Sequence, residues 1–122
     1  MEKTSILGVV PVIPSADIKR DVSWYVNNLG FTENFSDDMY AGISRDEIYI
    51  HLQWHAGTIE DPVNGGSVVK IFVDKVAPLF NELLERGTVD KSKLLKNTPW
   101  NTNEFGIYDL NKNAVFFVEV LS

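Results

Sequence analysis

Residues 9–31 read VVPVIPSADIKRDVSWYVNNLGF, and the change of period inside this stretch decides the fold. Val9-Val10-Pro11-Val12-Ile13 is short, apolar and largely β-branched, which predicts a strand closed by Pro14. Asp17 follows as a helix cap, its carboxylate placed to accept the orphan N–H groups of a first turn. Ile18, Val22, Tyr25, Val26 and Leu29 then recur at three- and four-residue spacing, so one stripe of the helix is apolar. Gly30 ends it, because a residue without Cβ takes the left-handed cap conformation at little cost. Beyond it, 31–35, 39–44 and 47–54 are extended pieces separated by Asp37-Asp38 and Arg45-Asp46, an antiparallel meander.

The second half repeats this plan. Residues 67–87, SVVKIFVDKVAPLFNELLERG, open with a β-rich run over 67–73, and Asp74 stands where a cap is needed. Val76, Leu79, Phe80, Leu83 and Leu84 form the next apolar stripe, and Gly87 closes it. Pro78 sits in the first turn, where a missing N–H costs little. Two or three strands follow, with 105–109 and 114–120 joined by an Asn111-Lys112-Asn113 turn. Residues 55–66, polar with three glycines and a proline, read as a linker. The chain is therefore one domain of two repeats, about 6–54 and about 67–121. Each repeat covers one sheet face with a helix, and the other face must find a partner or line a cavity.

Composition narrows the function. A chain of 122 residues suits one domain able to bury a core without staples. With no cysteine there is no disulfide framework, thiolate zinc site, iron–sulfur cluster or cysteine nucleophile. The net charge of -6 argues against a nucleic-acid partner and leaves room for a cationic ligand. No apolar run approaches the roughly 20 residues that span a bilayer, and the opening residues lack the basic region of a secretory signal. The expectation is a cytoplasmic protein with no membrane partner, in which the Asn34-Phe35-Ser36 sequon is fortuitous.

Several motifs fail on context. His51 and His55 have the spacing of a helical zinc pair, but Ile48, Ile50 and Leu52 alternate with Tyr49, His51 and Gln53. That is a strand period, which holds the two imidazoles about 13 Å apart. Asp109-Leu110-Asn111-Lys112-Asn113 begins like a calcium loop, yet Ala114 replaces its glycine and Val120 its last carboxylate. No nucleophile elbow, P-loop or dinucleotide fingerprint is present. Of the three tryptophans, Trp24 belongs with the helix packing. Trp54 and Trp100 lie in polar surroundings, where they suit either edge packing or a ligand platform.

The run Val12-Ile13-Pro14-Ser15-Ala16-Asp17, then Trp24-Tyr25 and Leu29-Gly30-Phe31, resembles the opening of vicinal-oxygen-chelate proteins. That superfamily includes glyoxalase I, extradiol dioxygenases, fosfomycin-resistance enzymes and bleomycin resistance proteins. The similarity continues through Ile50-His51-Leu52, Phe72-Val73-Asp74 and Tyr108-Asp109-Leu110-Asn111-Lys112-Asn113. It implies an α+β fold of two βαβββ modules in tandem, forming a curved mixed sheet around a cavity. Enzymes of the superfamily hold a divalent metal with His, Gln or Glu on inner strands, at positions that correspond by motif to Val10, His51, Val68 and Phe116.

One imidazole facing three apolar groups cannot fill a dication's coordination sphere. The resemblance therefore implies no metal, no cofactor and no catalytic residue. It points to the bleomycin resistance branch, which sequesters a cationic glycopeptide in pockets at a homodimer interface. On that reading Tyr49, His51 and Gln53 face the cavity, with Val10, Val12, Val68, Phe72 and Phe116 as apolar walls. Trp54, Trp100 and Tyr108 stand at the rim, and Lys70 places a positive charge on the same face. The rival reading is a lyase or isomerase that uses a metal, or His51 as a general base.

Overall fold

The computed structural model describes residues 2–122, in the order β1 (Val12–Ser15), α1 (Ile18–Leu29), β2 (Thr32–Ser36), β3 (Tyr40–Arg45), β4 (Ile48–Trp54), β5 (Val68–Phe72), α2 (Val76–Glu85), β6 (Thr102–Tyr108) and β7 (Ala114–Val120). The strands form two sheets, ordered β1-β4-β3-β2 and β5-β7-β6, each with one parallel pair at its β1 or β5 edge. This is the expected α+β architecture. The second repeat builds three strands, and its fourth ladder position is reduced to a single bridge between Leu95 and Glu104.

Local signals explain most boundaries. Asp17 accepts from the Arg20 N–H at 3.0 Å, and Gly30 takes φ 71° at the end of α1. The first strand differs from expectation. It begins at Val12 and runs through Pro14, while residues 2–10 extend away without regular structure. The His51 N–H to Pro11 carbonyl and His55 N–H to Ser15 carbonyl bonds aim alternate groups of β1 at β4. Pro14 falls on the outer side of this edge strand, where a missing N–H breaks no ladder bond.

Asp74 does not cap α2, because its carboxylate reaches only the Lys75 N–H. The Val76 N–H is instead satisfied at 2.9 Å by the Glu119 carboxylate, from β7. In the 109–113 turn the left-handed residue is Lys112 (φ 64°), and neither asparagine takes that role.

Both helices press their apolar stripes into one core. Ile18, Val22, Tyr25 and Leu29 pack on the Ile13, Ile43, Ile50 and Leu52 side of the first sheet. Val76, Phe80 and Leu83 do the same on Ile71, Phe105 and Phe117 of the second. Buried polar links join the repeats. Tyr25 donates to Asp109 at 2.7 Å, Asn111 Nδ2 donates to Asp21 at 2.7 Å, and Asn113 Nδ2 donates to the Pro14 carbonyl at 3.0 Å. At the other end Arg45 forks onto Glu82, with bonds of 2.8 and 2.7 Å. Since each sheet spends one face on this core, much of its opposite face stays uncovered, although Thr102, Glu104, Ala114 and Val118 of the second sheet are buried there.

Candidate ligand-binding faces

On the open face of the first sheet, strand alternation brings Val12, His51, Gly42 and Phe35 into one row across β1, β4, β3 and β2. Gly42 leaves no side chain on β3, and the Phe35 ring fills the vacated space. The ring meets His51 edge-on, with centroids 5.3 Å apart, and lies parallel to Tyr40 at 6.3 Å. The Tyr40 hydroxyl sits 2.9 Å from His51 Nδ1, which fixes the imidazole and leaves Nε2 without a hydrogen-bond partner among the described residues. Tyr49 and Gln53 flank this cluster on β4, exposed to solvent. The face is thus an aromatic platform with one oriented imidazole, chemistry that holds flat or cationic groups.

The second sheet repeats the layout. Lys70, Phe116 and Gly106 form the matching row across β5, β7 and β6, with the Phe116 ring lying over Gly106. Val68 and Tyr108 flank it on one side, Phe72 and Glu104 on the other. Glu104 is buried at 7% exposure, and its Oε2 accepts from Trp100 Nε1 at 3.1 Å and Thr102 Oγ1 at 2.8 Å.

The donor set does not suit a divalent metal. The residues that share a row with His51 or Phe116 are Val12, Gly42, Phe35, Lys70 and Gly106, which offer no neutral nitrogen or carboxylate oxygen. Among the described residues no three His, Asp or Glu side chains converge.

Most residues anticipated for the site lie on these open faces; Trp100 stands in the turn before β6, and two others also lie off them. Val10 belongs to the arm before β1, so Val12 is the β1 residue beside His51. Trp54 shares the parity of Ile50 and Leu52, packs against the core and donates Nε1 to the Ala16 carbonyl at 3.1 Å. Trp24 packs edge-on against Tyr25, as expected. Phe35, Tyr40 and Glu104 were not anticipated. The alternation of 40, 42 and 44 in β3 was available as a signal for Tyr40, but the bulge between Glu33 and Phe35 hides the facing of Phe35.

The two open faces belong to separate sheets. A groove of about 610 Å³ lies beside them, between the β3–β4 turn and the start of α2. Phe31, Ile48, Phe72 and Leu79 line it, with the Arg45–Glu82 pair at its side. A smaller one of about 160 Å³ includes Gln53 and His55, whose Nδ1 lies 2.7 Å from Asp61.

No family model matches the chain. It is 25% identical over 128 residues to bleomycin resistance proteins of Geobacillus stearothermophilus and Staphylococcus aureus, covering 93% of this chain and 97% of theirs. Among solved structures, the bleomycin-binding protein of bleomycin-producing Streptomyces verticillus, complexed with copper(II)-bleomycin, matches with a TM-score of 0.76 and 27% identity. The match covers 98% of this chain and 99% of that one. A glyoxalase/bleomycin resistance protein/dioxygenase from Nocardioides shares the fold at a TM-score of 0.76 and 14% identity, over 99% of this chain and 87% of its own.

Proposed function

We propose that this member of the vicinal-oxygen-chelate superfamily is a metal-free binding protein that sequesters a cationic or aromatic small molecule of the bleomycin type. The observation that carries this reading is the row Val12, His51, Gly42, Phe35, which is an aromatic platform where a catalyst of this fold needs several ligands to one ion. Bound between such surfaces, a ligand is withdrawn from solution with no bond made or broken. Protection then depends on protein concentration relative to Kd.

A single open sheet cannot enclose a ligand, which favours a homodimer in which the first sheet of one copy faces the second sheet of the other. Exposed Tyr49, Val68, Phe72 and Tyr108 supply apolar area for that contact. The arm supplies more, since Ile6, Leu7 and Val9 are over 90% exposed. We place this dimer in the cytoplasm. The experiment is calorimetric titration of bleomycin into protein of known mass in solution. Saturable binding to a dimer supports the reading, whereas a monomer with no heat of binding refutes it.

One observation favours a second reading. Tyr40 orients His51 and leaves Nε2 without a hydrogen-bond partner among the described residues, the arrangement a general base needs in a lyase or isomerase. Stoichiometric metal in purified protein, or consumption of a substrate that ceases in a His51→Gln variant, would establish it.

A further inference from the structure

We infer that the groove between the β3–β4 turn and the start of α2 binds small aliphatic amines. The apolar tail lies on the floor of the groove and the ammonium among the carboxylates at its rim. This site is separate from the row of Val12, His51, Gly42 and Phe35 and does not depend on the sequestration reading.

The groove holds about 610 Å³, a size within the roughly 300–1,000 Å³ of small-molecule sites. Its floor is the seam between the repeats. Phe31 comes from the first repeat, whereas Ile71, Leu79 and Phe117 come from β5, α2 and β7 of the second. Three of these side chains are buried and Leu79 is half-buried, so the floor is the edge of the core itself. Ile48 and Phe72 stand at the sides, 43% and 62% exposed. A hydrocarbon tail laid between them takes this surface out of water without needing a polar partner.

Charge selects the head group. Arg45 and Glu82 neutralise one another through their two hydrogen bonds. The other charged residues lining the groove are Asp46, Glu47 and Asp74 against Lys75 alone. Among the described residues none of these three carboxylates is held in an ion pair. The start of α2 pulls the other way, since a helix N-terminus attracts anions. Its Val76 N–H is already taken by Glu119 at 2.9 Å, however, and Lys75 provides no side-chain cap that a ligand could replace. The balance at the rim is therefore negative. An ammonium suits it, with three donors to share between the turn carboxylates and the α2 side.

Octylamine, octanol and octanoate share a tail and differ in charge, and their aliphatic chain does not mimic stacking on the Phe35 platform. Each is titrated at low ionic strength into the wild-type protein, Lys75→Gln, and a triple variant carrying Asp46→Asn, Glu47→Gln and Asp74→Asn, with backbone amide NMR as the readout. All four substituted side chains are exposed, and Asn tolerates the left-handed backbone of Asp46 (φ 52°), so the variants keep the fold. Octylamine is expected to give saturable shifts at Phe31, Ile48 and Leu79 and to bind about fivefold or more tighter than octanol, with octanoate weakest. The triple variant should bring octylamine within about twofold of octanol, and Lys75→Gln should widen the gap. Octylamine binding no tighter than octanol, preference for octanoate, shifts centred on Phe35 and His51, or no shifts at all would each overturn the inference.

Discussion

The Phe35 ring occupies the space in which a side chain on Gly42 would stand. The same arrangement recurs in the second repeat, where a Cβ on Gly106 would lie 2.5 Å from the Phe116 ring. Each open face is therefore surfaced by an aromatic ring folded over a glycine, with His51 beside the first ring and Lys70 beside the second.

Gly42→Ala is expected to push Phe35 out of its edge contact with His51 and off Tyr40. Overpacking of this kind costs about 1–3 kcal/mol, read as a lower urea midpoint, and ligand affinity should fall with it. An unchanged midpoint and affinity would show that the ring is not seated as described.

Tyr40→Phe removes the 2.9 Å partner of His51 Nδ1 and keeps the stacked ring. Stability should change by less than about 1 kcal/mol, since both groups are partly open to water. The His51 imidazole resonances should shift and broaden in NMR spectra as the ring gains freedom. Sharp, unmoved signals would deny Tyr40 its orienting role.

The joint between repeats concentrates on Asp109, which accepts from Tyr25, from Asn113 Nδ2 and from the backbone N–H groups of Asn111 and Asn113. Burial and the adjacent carboxylate hold the Tyr25 hydroxyl far above the usual phenol range, so it serves as a permanent donor. Tyr25→Phe is expected to cost about 1–3 kcal/mol, because it strips one bond from a buried charged acceptor. Asp109→Asn should cost more, since an amide offers one acceptor oxygen to a site built of donors. Denaturant unfolding measures both, and a milder effect for Asp109→Asn than for Tyr25→Phe would contradict this ordering.

The hydrogen bonds from Arg45, helped by Arg86, hold the Glu82 carboxyl at about 2, below its ordinary 4.5. A lowered folded-state value means that the pair's stabilisation is complete above 4.5 and is lost as the pH falls towards 2. Because both partners are about one-third exposed, solvent screening limits this contribution to about 1 kcal/mol or less. Urea midpoints of wild type and Glu82→Gln at pH 7 and pH 3 should therefore converge at the lower pH. A gap as wide at pH 3 as at pH 7 would place the role of Glu82 elsewhere.

The strand–helix–strand plan was readable because Asp17, Gly30 and the stripe from Ile18 to Leu29 act within a few residues of one another. The cap of α2 was not, since Glu119 reaches Val76 across 43 positions of chain. Proline misled at position 14, because a sequence does not reveal which side of an edge strand faces its neighbour. For the binding faces, alternation located Tyr49, His51 and Gln53 correctly on the open side of β4. The same rule turns Trp54 inward, and polar neighbours in the sequence suggested otherwise. Asn111 and Asn113 read as turn formers, yet their amides bind Asp21 and Pro14 some 90 or more positions away.

The proposed function is capture without chemistry. Its most direct test is calorimetric titration of bleomycin into protein treated with a chelator, followed by mass analysis of the recovered ligand. Saturable binding, the same heat and affinity with or without chelator, and ligand returned at its original mass are the expected results. Binding that the chelator abolishes, or a ligand returned chemically altered, would contradict it.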